Sequence, residues 1–198
     1  MRKRRIWVVV IVAALGVGAA VFTRGMGFTA RAKPWALEQS TMLAARRWAM
    51  PASVRRQVNP VAATTEALRA GLEHWADHCA NCHGNDGSGD TTIGRNLYPP
   101  APDMRAPRTQ GMTDGELFYL VERGVPLTGM PAWGIGTPDG ERASWHLVLF
   151  IRYLPQITAQ ELKDMDALNP KSHAETMRKM EIDDFLSAKK PIIRDKKE

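Results

Sequence analysis

At 198 residues the chain is long enough for one or two domains with a real hydrophobic core, and the distribution of its charge limits the partners it can have. A formal net charge of +6 would ordinarily suggest nucleic acid as a partner, but residues 1–33 hold seven basic and no acidic residues, and the remainder carries a net charge of −1. The positive charge therefore belongs to the N-terminal end, and nucleic-acid binding is excluded.

An apolar N-terminal segment predicts a membrane helix. Residues 6–22 carry no charge and lie between the basic cluster of residues 2–5 and Arg24. A helix of this length rises about 25 Å, near the lower limit for crossing a bilayer. Basic residues before the span predict a cytoplasmic N-terminus and a periplasmic remainder. We expect residues 1–33 to be an anchor retained in a bacterial inner membrane; a signal peptide cleaved after residues 30–32 is the alternative.

Residues 34–60 are predicted to be a linker that contains one short helix. Apolar residues between Pro34 and Met50 indicate the helix, and Pro51 ends it. Four arginines in this segment are candidates for contact with lipid headgroups or a partner subunit: Arg46, Arg47, Arg55 and Arg56. The alternative is a solvent-exposed helix packed loosely on the next domain.

The motif Cys79-Ala-Asn-Cys82-His83 is the most informative part of the sequence. Two thiols three positions apart can form thioether bonds to the two vinyl groups of one haem, and the adjacent imidazole can bind its iron. The motif therefore predicts one covalently bound haem c. The alternatives are a redox-active dithiol and a zinc site with His74 and His78, although the chain has no further cysteine for a second ligand pair.

Capping and apolar spacing predict the helices around this motif. Thr65 is a candidate N-cap for the helix that ends in the motif. Thr113 and Glu116 form a capping box that begins another helix, which Gly124 ends. A strongly apolar helix is predicted over residues 143–154. No convincing strand is found, so an all-α fold is expected.

Three segments in this order resemble a class I monohaem cytochrome c of the membrane-anchored bacterial type. They are Cys79-Ala-Asn-Cys82-His83, Asn96-Leu-Tyr-Pro-Pro-Ala-Pro102 and Gly124-Val-Pro-Leu-Thr-Gly-Met-Pro-Ala-Trp133. The resemblance covers about residues 61–155. It implies a cytochrome c fold, with three to four helices around one haem, after the single transmembrane helix. It also implies that the first and last helices of this domain cross, which would place Gly71 and Trp75 against Phe150 or Tyr153.

The resemblance also implies a set of residues around the iron. The axial ligands would be His83 and Met130, and a proline carbonyl, from Pro99 or Pro100, would accept the imidazole N–H of His83. Met130 stands out among the methionines because it lies between a glycine and a proline in a predicted loop. The competing ligands are Met104 and Met112. Three side chains are candidates for packing beside the haem or for contact with its propionates: Trp133, Arg95 and Arg105.

A histidine–methionine pair predicts an electron carrier rather than an enzyme, because it fills both axial positions of the iron and leaves no site for a substrate. Redox proteins of a membrane respiratory chain are the expected partners. The alternatives are a cytochrome c subunit of a larger membrane oxidoreductase complex, and a haem sensor or peroxidase with a labile sixth ligand. Carbon monoxide binding to the reduced protein would favour the sensor or peroxidase.

Residues 156–198 are predicted to be a charged, partly helical C-terminal extension. Thr158 and Glu161 form a second capping box, after which the chain is polar. Phe185 and Leu186 are candidates to anchor the extension to the domain or to a neighbouring subunit.

Overall fold

A computed structural model describes residues 2–26, 29–171, 177, 178, 180–182 and 185. Within these residues the regular structure is helical and includes no β-strand, so the predicted all-α fold class is confirmed. The α-helices, in chain order, are α1 (Arg2–Met26), α2 (Ala36–Ala49), α3 (Thr65–His74), α4 (Ala80–His83), α5 (Pro107–Gln110), α6 (Asp114–Arg123), α7 (Pro138–Tyr153) and α8 (Ala159–Leu168). Shorter helical turns are Val54–Arg56, Gly94–Asn96 and Leu154–Gln156, which are 3-10 helices, and Trp75–Cys79, which is a π-helix.

Helix α1 contains the predicted membrane span and extends beyond residues 6–22 at both ends. It has 25 residues, which is a rise of about 37 Å. Among the helices that the structure describes, α1 is the one whose length and composition would allow it to cross a membrane. Its apolar side chains remain exposed, with Phe22 the one whose ring contacts a described residue outside the helix, as a lipid-facing helix allows.

The linker packs firmly on the helices that follow it. Met50 and Val54 are buried, and a Cβ on Gly115 of α6 would lie 2.0 Å from the Val54 carbonyl oxygen. The Asn59 side-chain amide donates a hydrogen bond to the carbonyl of Trp145 in α7, at 3.0 Å. The segment after α2 is therefore joined to the domain at Met50, Val54 and Asn59, while the residues between them are exposed.

The core of the domain is the crossing of α3 and α7, which makes the most extensive contact between helices. The rings of Trp75 and Phe150 lie 5.6 Å apart, and both are almost completely buried. Gly71 allows the close approach, because a Cβ at this position would lie 2.3 Å from the carbonyl oxygen of His146 and 3.0 Å from Cβ of Phe150. The contact that the sequence predicted for Gly71 and Trp75 with Phe150 is thus confirmed.

The ends of α6 and the start of α3 test the predicted caps. The capping box of Thr113 and Glu116 is present in α6, and Gly124 follows that helix with φ +67°. Helix α3 is capped by Thr64 rather than by Thr65, since the Thr64 hydroxyl accepts the Ala67 amide at 3.2 Å. The prediction of Thr65 was wrong by one residue.

Helix α7 begins five residues before the predicted start at residue 143. Thr137 is its N-cap and accepts the Gly140 amide at 3.2 Å, while Pro138 occupies the first helical position. A proline suits this position because its missing N–H would have had no partner inside the helix. The first turn of α7 is polar, so a prediction based on the spacing of apolar residues placed the start of the helix too late.

Helix α8 shows that the C-terminal extension begins as part of the domain. Thr158 and Glu161 form the predicted capping box, and Glu161 also accepts a hydrogen bond from the Tyr153 hydroxyl at 2.9 Å. Met165 is fully buried in the hydrophobic core. Anchoring by Phe185 and Leu186 stays a prediction, because Leu186 lies outside the described residues.

Candidate haem site

The Cys79–His83 motif lies where the helical backbone changes its winding. Helix α3 continues into the π-helix Trp75–Cys79 and then into α4, which ends at His83. A π-helical turn contains an extra residue, so it changes the direction in which the following side chains point. Trp75 supports this end of the helix: its indole N–H donates to the Gly84 carbonyl at 2.9 Å, and its ring lies 5.6 Å from that of His83.

The loop after the motif folds back over the end of α4 and binds its free carbonyl groups. The Thr91 hydroxyl lies 2.8 Å from the carbonyl oxygen of Asn81 and 3.2 Å from that of Cys82, and the Gly89 amide donates to His83 O at 2.7 Å. These bonds satisfy carbonyls that a helix end leaves without partners. The loop therefore holds the two cysteines and His83 in place through their backbone.

A small apolar cavity of about 30 Å³ lies beside His83. It brings together several of the residues that the sequence predicted for the site, namely His83, Cys79, Met130 and Trp133. The other residues that line it are Trp75, Met104, Val121, Leu147 and Ile151. Cys82, Met112, Pro99 and Pro100 do not line the cavity.

The imidazole of His83 is held in the state that binds a metal. Burial lowers its pKa, and a smaller opposing effect comes from the backbone carbonyl of Pro102. His83 is thus neutral near pH 7, as a histidine ligand must be. Its Nδ1 atom is buried and makes no hydrogen bond to the described residues, and Pro102 is the proline whose carbonyl acts on this imidazole. The role of Pro99 or Pro100 as acceptor of the imidazole N–H stays a prediction.

The two thiols do not have the properties of a redox-active pair. Burial raises the pKa of Cys79 to about 12, with the nearby Cys82 a smaller cause, and burial also raises the pKa of Cys82. Reactive dithiols have lowered thiol pKa values, because the thiolate is the nucleophile. The structure therefore gives no support to a dithiol oxidoreductase.

A zinc site is not supported either. Within the part of the chain that the structure describes, no three histidine, cysteine or acidic side chains are placed to hold a metal ion together. His74 and His78 do lie together, with ring centres 4.9 Å apart and edge-to-face. His78 also packs edge-to-face on Trp133, at 5.4 Å, so this histidine pair forms one side of the packing around Trp133.

The loop that carries Met130 is shaped by hydrogen bonds among its own residues. The Thr128 hydroxyl donates to the Val125 carbonyl at 2.8 Å and accepts the Met130 amide at 3.1 Å. The Val125 amide donates in turn to the Met130 carbonyl at 3.0 Å. Both backbone groups of Met130 are thus fixed, and its side chain lines the cavity.

Arg95 and Arg105, the candidates for contact with haem propionates, are engaged in ion pairs. Arg95 pairs with Asp90, and Arg105 contacts Asp103 at 2.9 Å and Asp86 at 3.1 Å. These pairs join turns of the loops that follow α4. Contact of either arginine with a propionate stays a prediction.

The donor groups around this cavity fit a haem of the c type. An apolar pocket carries a neutral imidazole, a thioether and an adjacent Cys-x-x-Cys pair, which are the groups that bind and covalently hold this cofactor. Residues 66–151 also match the family model described as "Cytochrome C oxidase, cbb3-type, subunit III". This segment is a cytochrome c domain.

The match spans the cytochrome c domain from the first turn of α3 to the last turn of α7, and so includes the motif, the Met130 loop and the crossing of the two helices. No curated protein matches the chain.

Two residues of the site were not found from the sequence. Pro102 was overlooked because it follows two other prolines that suit the same role equally well. Thr128 could have been found from the sequence. In a turn, a threonine hydroxyl often accepts a hydrogen bond from the backbone amide two residues later, which here is the amide of Met130.

Proposed function

We propose that the cytochrome c domain holds one haem c through thioether bonds from Cys79 and Cys82, with His83 and Met130 as the axial iron ligands. One observation carries this proposal: His83, Met130 and Cys79 line the same apolar cavity. Ligands from two separate parts of the fold, the end of α4 and the loop before α7, meet there.

Met104 also lines the cavity, and its position favours Met130 as the ligand. The Met104 amide donates to the Gly87 carbonyl at 2.8 Å, in the loop directly after His83. Met104 also follows Pro102, whose carbonyl acts on the His83 imidazole. Met104 therefore belongs to the segment that supports His83. Met130 belongs to a different segment, the loop that follows α6 in the chain. An axial ligand opposite His83 is better supplied by the second segment.

The residues of the site suit an electron carrier. When bound, the haem supplies an iron that gains and loses one electron. The Met130 thioether is a soft, neutral donor, which favours Fe(II) and raises the reduction potential. The apolar residues around it exclude water. With His83 and Met130 both bound, no coordination position is open to a substrate, so we expect electron transfer rather than enzymatic turnover.

The expected setting is the outer face of a bacterial inner membrane, with α1 as a retained single-pass anchor. Residues 66–155 carry seven basic and eleven acidic residues, a net charge of −4, so the domain has no strongly basic surface for docking on acidic partners. An anchor reduces the need for such steering, because it raises the effective concentration of the domain near membrane-bound redox partners.

The test is the visible absorption spectrum of the full chain made in cells with haem-maturation machinery. The wild type is expected to contain low-spin haem, and Met130→Ala is expected to give high-spin haem that binds carbon monoxide after reduction. Met112→Ala is the control, because Met112 lies outside the cavity and should leave the spectrum unchanged. If Met104→Ala changes the haem to high spin and Met130→Ala does not, the assignment of Met130 is wrong.

A second candidate function is a subunit of a larger membrane oxidoreductase complex, and the description of the matching family, which names an oxidase subunit, favours it. Purification in mild detergent tests this function. A partner recovered in fixed stoichiometry would identify the chain as a subunit, while recovery of the chain alone would favour an independent carrier.

A further inference from the structure

Helix α2 presents one face to the domain and an opposite, partly apolar face to the surroundings. On the inner face the Glu38 carboxylate accepts the Tyr98 hydroxyl at 2.7 Å, and Arg46 is half-buried. On the outer face, Leu37 is 73% exposed and Trp48 is 88% exposed. Thr41 and Ala44 lie between these two at helical spacing and are also exposed, which completes a stripe along the helix.

The outer stripe, which consists of Leu37, Thr41, Ala44 and Trp48, is flanked by positive charge. Residues 29–60 contain six basic residues and one acidic residue, a net charge of +5, in contrast to the net charge of −4 of residues 66–155. Glu38, the acidic residue, faces the domain. An exposed tryptophan and leucine among arginines are typical of a helix that lies in the interface of a bilayer.

The position of α2 in the chain brings this stripe close to the membrane. Only nine residues separate α2 from α1, the proposed anchor. The rings of Phe22 in α1 and Trp35, immediately before α2, pack edge-to-face with centres 4.5 Å apart. The end of the span and the start of α2 are thus in direct contact, so a bilayer around α1 would lie within reach of the stripe.

We propose that the outer stripe of α2 docks on the surface of the bilayer and that the surrounding arginines and lysine bind anionic phospholipid headgroups. The proposal rests on the membrane anchor of the proposed function. Leu37 and Trp48 enter the interfacial region, and Arg47, which is exposed on the same helix, lies beside the headgroups.

Docking of α2 would also orient the haem site. Glu38 is joined to Tyr98, and Tyr98 lies in the proline segment that leads to Pro102 beside His83. Beyond the other end of α2, Met50 is buried and the turn that carries Val54 packs on Gly115 of α6. Because α2 is attached to the domain at both ends, binding of its outer stripe to the membrane limits the rotation of the cytochrome c domain relative to the bilayer.

The test uses the full-length holoprotein with a nitroxide spin label on Ala44→Cys, since the two native cysteines are consumed by the haem. The protein is placed in vesicles of phosphatidylcholine with or without phosphatidylglycerol. With the anionic lipid, the label is expected to lose accessibility to a water-soluble nickel chelate and to gain collisions with oxygen. The matched control is Gln39→Cys, which is exposed on the same helix, about 140° around from residue 44, and should stay accessible to nickel.

Three results would overturn the proposal. The first is equal nickel accessibility at residues 44 and 39 in the anionic vesicles. The second is equal protection of residue 44 from the nickel chelate with and without phosphatidylglycerol. That result would mean that the basic residues do not bind anionic headgroups. The third is protection in native membranes but not in vesicles, which would identify a protein as the partner. Failure of the anchor would be recognised separately, because an alkaline wash would then release the protein from the vesicles.

Discussion

At the scale of single residues, Thr128 fixes the backbone of Met130, the proposed axial ligand. Its hydroxyl bonds both the Val125 carbonyl and the Met130 amide. Thr128→Val has nearly the same shape and removes both bonds. We expect this variant to contain a mixture of low-spin and high-spin haem and to have a lower reduction potential than the wild type, because the thioether is then held less firmly.

Optical spectra and a redox titration measure this effect, and Thr128→Ser is the matched control because it retains the hydroxyl. The serine variant should behave as the wild type does. If Thr128→Val also matches the wild type in spin state and potential, then the hydrogen bonds of Thr128 have no part in positioning Met130.

His74 is a second residue whose surroundings have a measurable consequence. Its pKa is lowered, first by burial and then by the nearby His78. The unfolded chain, with an ordinary histidine pKa of about 6.5, then binds a proton more readily than the folded protein does. The stability that His74 contributes is therefore complete above about pH 6.5 and is lost as the pH falls from there through the lower folded-state pKa.

Guanidinium unfolding of the holoprotein at pH 7.5 and pH 5 tests this dependence. His74→Gln should lose less stability than the wild type between the two values, because it removes a group that takes up a proton on unfolding. Glu73→Gln, a change at the exposed neighbouring residue, is the control and should keep the wild-type dependence. If His74→Gln loses as much stability between pH 7.5 and pH 5 as the wild type does, groups other than His74 cause the loss of stability in acid.

At the scale of elements, the crossing of α3 and α7 depends on the absence of a side chain at Gly71. A Cβ there would lie 2.3 Å from the His146 carbonyl oxygen, which belongs to the backbone of a helix and cannot easily move. Gly71→Ala is expected to lower the free energy of unfolding by about 1–3 kcal/mol, as overpacking of a core does. Denaturant unfolding measures the change.

Arg69→Ala, a control in the same helix, removes an exposed ion pair with Glu73 and should cost less than about 1 kcal/mol. A Gly71→Ala variant as stable as this control would mean that the two helices can move apart at little cost.

Some features of the helices around the motif could be predicted from the sequence and others could not. The contact of Gly71 and Trp75 with Phe150 followed from the family resemblance, and the capping box of α6 followed from residues close together in the chain. The π-helix Trp75–Cys79 could not be predicted, because it has no local sequence signature and results from packing around the motif. Which proline carbonyl lies beside His83 likewise depends on how the loop folds.

At the scale of the whole molecule, parts of both flanking segments pack on the cytochrome c domain, namely residues around Met50 and Val54 on one side and α8 on the other. The buried Met165 is the clearest sign, since it fills the core from α8, beyond the segment that matches the cytochrome family. The sequence could predict that α8 begins at its capping box, but not where it packs. A single buried methionine leaves no periodic apolar pattern.

Met165→Ala is therefore expected to lower the free energy of unfolding by about 2–5 kcal/mol, as other truncations of buried methionine do. Denaturant unfolding of the holoprotein measures this loss. The control is Leu168→Ala in the same helix, where the residue is 42% exposed and the cost should be smaller. Equal stabilities for the two variants would mean that α8 does not pack on the core.

Covalent attachment is measured by the visible absorption of the full chain after denaturation and removal of free haem, with protein made in cells that attach haem to cysteines. We expect one haem retained per chain, and loss of the stable attachment when Cys79 and Cys82 are both changed to alanine. If the denatured wild-type chain retains no haem, the proposed haem c and the electron transfer that depends on it are wrong.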